Sequence, residues 1–133
     1  GKEMLLIVGG AGQGKLNIAL EQTGCTVQDV GEDGLIVDSL HLLIRERLAQ
    51  GRELSTWLEQ MLPKQAVVCD EIGCGVVPAD AFERRWREEV GHACQFLARH
   101  ARRVVRVTCG IPMVLKESSR PSFAGNTEKE NVE

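Results

Sequence analysis

The sequence predicts an α/β fold, a three-layer, mostly parallel sheet of the P-loop kind, and two observations carry that reading. The apolar run Met4-Leu5-Leu6-Ile7-Val8 empties into Gly9-Gly10-Ala11-Gly12-Gln13-Gly14-Lys15, a glycine-rich turn ending in a lysine. Beyond it, short apolar runs alternate with stretches whose apolar residues recur at helical spacing, the pattern of parallel strands joined by helical crossovers. In such sheets ligands bind outside the carboxyl ends of the strands.

The turn is the first element to justify. A phosphate cradle of the form Gly-x-x-x-x-Gly-Lys-Ser/Thr needs glycines so that backbone N–H groups close around phosphate oxygens, a lysine for the β/γ oxygens, and a hydroxyl for Mg2+. Gly9, Gly14 and Lys15 fit, and Leu16 stands where the hydroxyl belongs. Residues 16–22 continue as a helix whose N-terminal amides and dipole face the same anion. The nucleotide-binding candidates are therefore Gly9, Gly10, Ala11, Gly12, Gln13, Gly14, Lys15 and Leu16. A dinucleotide-binding turn fits less well, because Gly10-x-Gly12-x-x-Lys15 lacks the third glycine. A glycine-rich turn that cradles nothing is the plain alternative.

The remaining elements follow in order. Gly24 ends the first helix, Cys25-Thr26-Val27 reads as a short extended piece, and Gly31-Glu32-Asp33-Gly34 is a turn. Leu35-Ile36-Val37 is a second strand ending in Asp38-Ser39, followed by a helix with Leu40, Leu43, Ile44 and Leu48 on one face. Leu54, Trp57, Leu58, Met61 and Leu62 form another helical stripe, stopped by Pro63. Ala66-Val67-Val68-Cys69 is the continuous apolar run of a strand buried on both faces, and Asp70-Glu71 end it at the ligand-binding edge. Asp80 and Glu83 predict a capping box for a long helix bearing Phe82, Trp86, Val90, Ala93 and Leu97. Gly91 inside that helix suggests close packing. Val104 to Cys109 is the last strand predicted, closing at Gly110-Ile111-Pro112. The reading is one domain over residues 1–115 and a disordered polar tail over 116–133.

Composition excludes several functions. A net charge of −3 with two Trp, three Phe and no Tyr leaves neither the electrostatic footprint nor the stacking platforms of a nucleic-acid binder. The arginines from Arg84 to Arg106 read as a solvated helix face. No apolar run approaches a membrane span and no leader opens the sequence, so no membrane partner and a cytoplasmic location are expected. Five cysteines without Cys-x-x-Cys or zinc spacing read as reduced thiols, with Cys74, between two glycines, the one to watch for reactivity. His41, His92 and His100 sit at no ligand spacing and are read as surface or core residues.

The string Val67-Val68-Cys69-Asp70-Glu71-Ile72-Gly73-Cys74-Gly75-Val76-Val77-Pro78, with Arg84/Arg85-Trp86-Arg87-Glu88, Gly91, Gln95-Phe96-Leu97-Ala98 and Gly110-Ile111-Pro112, resembles the adenosylcobinamide kinase/adenosylcobinamide-phosphate guanylyltransferase family. The Gly9 to Lys15 loop and Leu35-Ile36-Val37-Asp38-Ser39-Leu40 resemble its P-loop and second acidic strand, so that the likeness covers most of residues 4–115. The resemblance implies a recombinase-ATPase-like P-loop fold and an enzyme of cobalamin assembly, which phosphorylates a corrinoid alcohol with ATP or GTP and then transfers GMP through a histidine. It also implies a homo-oligomer. Three departures stand out: Leu16 replaces the family's Mg2+-binding Ser, residues 22–34 lack the guanylyl-accepting His, and Asp70 replaces an Asn. The chemistry of phosphoryl transfer assigns catalytic roles to Lys15, Asp70 and Glu71, with Asp38 or Asp70 as Mg2+ ligands, against the plain readings of Asp38 as a helix N-cap and Asp70-Glu71 as an exposed strand end. A catalytically impaired sensor or assembly partner that binds nucleotide or corrinoid, and a P-loop kinase of another small alcohol, are the alternatives.

Overall fold

Two strands are apolar at nearly every position because helices cover them on both faces. They are β1 (Leu5–Gly9) and β3 (Ala66–Asp70), and they lie at the centre of a five-stranded sheet with β2 (Ile36–Val37), β4 (Arg103–Thr108) and β5 (Ile111–Glu117). The computed structural model describes residues 3–72 and 80–118. The strand order is β2-β3-β1-β4-β5, parallel throughout except for β5, and Leu5 aligns with Ala66 on one side and with Arg103 on the other. The fold class read from the sequence is the one observed. Helices α1 (Lys15–Thr23), α2 (Leu40–Ala49), α3 (Ser55–Glu59) and α4 (Ala81–His100) supply the outer layers.

Strand alternation sorts the core into two halves. Leu6, Val8, Val67, Cys69 and Val104 pack against Leu40, Ile44 and Leu48 of α2, Trp57 and Leu58 of α3, and Val90, Ala93 and Leu97 of α4. Leu5, Ile7, Val68, Val105 and Val107 face Ile18 and Ala19 of α1. Each fully buried aliphatic side chain contributes about 2 kcal/mol. Arg45 lies over the rings of Phe82 and Trp86 and pairs with Glu83, tying α2 to α4.

Several local expectations need correction. Thr26 is extended, but no strand forms over residues 25–27: Thr26 caps a 3-10 turn at Val27–Asp29, and the Asp29 carboxylate accepts the Thr26 N–H in return. Asp80 caps α4 through Phe82 and Glu83 N–H, but the Glu83 side chain turns to Arg45 instead of closing a capping box. The chain does not close at residues 110–112. Cys109 and Gly110 both have positive φ, 52° and 74°, the geometry of a two-residue hairpin turn, and β5 folds back along β4. Lys116 and Glu117 therefore belong to the sheet, not to the tail. Ile111, Met113, Val114 and Leu115 are exposed on this edge strand. The basic stretch is not one helix face either: Arg102, Arg103 and Arg106 pair with Glu3, Glu117 and Glu71. Cys74 lies outside the described residues, and among those no helix is long and apolar enough to cross a membrane.

Among the described residues Gly91 has no close neighbour, since a Cβ built on it meets nothing within 4 Å. Packing does not account for it. Gly91→Ala is expected to stabilise the protein by about 1 kcal/mol through helix propensity alone, read as a rise in the denaturation midpoint. A destabilised variant would show that something does pack there.

Candidate functional site

The loop after β1 owes its path to its glycines. Gly12 and Gly14 have φ of 70° and 84°, left-handed values that side chains disfavour, and Gly9 has φ of 153°. Gly14 precedes α1 directly, so the loop delivers the chain onto a helix N-terminus. Gln13 anchors the loop to the hairpin turn: its Oε1 accepts the Cys109 N–H at 2.5 Å and its carbonyl accepts the Gly110 N–H at 3.0 Å. The hairpin missing from the sequence-based expectation is thus one of the supports of the loop.

Lys15 folds back over this loop. Its ammonium donates to the Gly10 carbonyl at 2.5 Å and pairs with Asp70 Oδ1 at 2.8 Å, with the side chain only 6% exposed. The other Asp70 oxygen lies 3.3 Å from His41 Nε2, while the Asp70 backbone N–H donates to His41 Nδ1 at 3.1 Å. Accepting at Nδ1 leaves the proton on Nε2, so His41 is a neutral donor to the carboxylate. Burial lowers the pKa of His41, Lys15 pushes the same way, and the nearby Asp70 and Asp38 carboxylates oppose them. The Trp86 indole N–H donates to the His41 carbonyl at 2.8 Å and holds the start of α2 against α4.

A cleft of about 360 Å³ opens here, lined by Gly12, Gln13, Gly14, Lys15, Leu16 and Asn17 from the loop and α1, and by Asp38, Ser39, His41 and Asp70 opposite. The structure therefore brings Gly12, Gln13, Gly14, Lys15 and Leu16 together with Asp38 and Asp70, whereas Gly9, Gly10 and Ala11 are not part of this lining and Gly10 reaches the site only through its carbonyl on Lys15. Asp38 is not the cap of α2, a position held by Ser39 in a left-handed conformation with φ of 56°.

Glu71 is the exception. Its N–H donates to the Gly9 carbonyl at 2.7 Å, but its carboxylate turns away from the cleft to Arg106 on β4, with Arg106 Nη2 to Glu71 Oε2 at 2.5 Å. Sequence reasoning missed His41, which it took for a surface or core residue. The signal is topological: β2 pairs with β3, so the first turn after β2 falls beside the end of β3. Only the strand order reveals that.

A family model for cobinamide kinase / cobinamide phosphate guanyltransferase matches residues 22–115, well over half of the chain. The matched span holds β2, β3, α4 and β4, together with Asp38, His41, Asp70 and Glu71, and it begins after the Lys15 loop. No curated protein matches the chain.

Proposed function

The chain belongs to the cobinamide kinase/cobinamide phosphate guanyltransferase family, and from that premise we propose that it works at the kinase step of corrinoid assembly. Residues 9–16 hold the phosphates of ATP or GTP while the hydroxyl of a corrinoid alcohol takes the terminal phosphoryl group. The observation that carries this reading is the Lys15 ammonium, poised between the Gly10 carbonyl and Asp70 at the mouth of a left-handed glycine loop.

Phosphoryl transfer asks a protein mainly to position reactants and neutralise charge. Lys15 and the amides at the start of α1 do so for the phosphates. A bound phosphate competes with Asp70 for the same ammonium, and Asp70, released but still held by His41, then faces the acceptor hydroxyl as a base. Glu71, fixed by Arg106, borders the acceptor side of the same sheet edge.

The donors present do not suit Mg2+. Leu16 offers no hydroxyl, and Asp70, bound to Lys15 and His41 at rest, is taken up as the acceptor's base once phosphate has drawn Lys15 away, which leaves Asp38 as the other carboxylate among the described residues of the cleft. Nucleotide affinity of the native protein is expected to be the same in Mg2+ and in EDTA, and Leu16→Ser to add a Mg2+-dependent gain, both read by titration. Tighter native binding in Mg2+ would mean that the metal site is complete without the hydroxyl.

The same two features, Leu16 and the committed Asp70, favour as a second reading a protein that binds nucleotide or corrinoid without turnover. Incubation with ATP or GTP and cobinamide separates the readings, because a phosphorylated corrinoid seen by mass spectrometry supports the kinase and its absence supports the binder. Guanylyl transfer is not part of the proposal. Residues 22–34 contain no histidine, and both ring nitrogens of His41 are engaged by Asp70. GTP labelled at the α-phosphate is expected to leave no acid-labile adduct; one on His41, His92 or His100 restores the two-step transferase.

A further inference from the structure

Cys69 and Cys94 play no part in that chemistry, yet they meet. Cys69 is fully buried one residue before the end of β3, Cys94 is half-buried on α4, and their sulfurs are in hydrogen-bonding contact at 3.7 Å. A disulfide needs an S–S distance of about 2.05 Å, which leaves a gap of less than one further S–S bond length to close between the sulfurs. We infer that Cys69 and Cys94 form a reversible dithiol–disulfide pair that staples α4 to the carboxyl end of β3, beside Asp70.

The two thiols are unequal in a way that suits exchange. Cys94 is half-buried whereas Cys69 is fully buried, so an incoming disulfide meets Cys94 first. Cys94, which reaches solvent, attacks one sulfur of a small-molecule disulfide as the thiolate. A Cys94 mixed disulfide forms and one thiolate leaves. Cys69 then gives up its proton and attacks Cys94 Sγ, expelling the second thiolate. Two protein thiols are oxidised, one small disulfide is reduced to two thiols, and the two protons pass to the leaving groups. The second attack is intramolecular, so the burial of Cys69 is no obstacle to it.

The test uses the full chain, reduced and then equilibrated with oxidised glutathione, acid-quenched, alkylated and mapped by peptide mass. The expected product has lost two hydrogens and carries a Cys69–Cys94 link that dithiothreitol reverses. In Cys69→Ala one glutathione is expected to accumulate on Cys94, and in Cys94→Ala none on Cys69. Full alkylation of both cysteines in the native chain while the exposed Cys109 carries glutathione would overturn the inference. So would a link from Cys94 to any other cysteine.

Discussion

Lys15→Ala is expected to weaken nucleoside-triphosphate binding by about ten- to a hundredfold, the loss of a charge-assisted hydrogen bond worth about 1.5–3 kcal/mol. The fold should persist, because Lys15 pairs with an Asp70 that is 22% exposed and keeps His41 as a second partner. Asp70→Asn carries the opposite sign for binding. It removes the anion that holds Lys15 at rest, so phosphate affinity rises while phosphorylation of the acceptor falls. Titration of both variants, with circular dichroism to confirm folding, decides the matter. Opposite shifts from the two ends of one ion pair cannot come from general destabilisation, which would weaken both. Unchanged affinity in a folded Lys15→Ala protein removes the phosphate-loop reading.

What was legible beforehand was what local sequence encodes. The apolar run of β1, the glycines after it and Lys15 lie within a dozen residues, so strand, turn and helix follow without knowledge of the rest. The continuous apolar run of β3 likewise announced a strand covered on both faces. The failures involve distant partners. His41 gains its role from Asp70, 29 residues away, and Glu71 loses the cleft to Arg106, 35 residues away. β5 was hidden for another reason: its apolar residues are exposed instead of alternating in and out, and Pro112 reads as a breaker although it sits on the edge strand, where a missing N–H is tolerated. Gly91 misled because a glycine in a helix suggests a neighbour, and none of the described residues comes close to it.

The largest structural effect is expected at Gly9. A Cβ placed there would lie 2.5 Å from the Val107 carbonyl oxygen, a backbone atom of β4 that cannot rotate away, and the φ of 153° adds strain for any L side chain. Together these are worth about 3 kcal/mol, or a fall of about 10 °C in Tm for a domain of this size. The only relief is to part β1 from β4 at their carboxyl ends, and that is where Gln13 ties the loop to Cys109 and Gly110. Gly9→Ala should therefore lose nucleotide affinity along with stability. Gly10→Ala is the control, since among the described residues its Cβ meets only the Gln13 side chain, no closer than 3.8 Å, and should stay within about 0.5 kcal/mol of the native protein. Thermal unfolding of the pair reads the difference. Equal stability of the two variants would mean that β4 does not press against the end of β1, and the hairpin would then lose its part in shaping the loop.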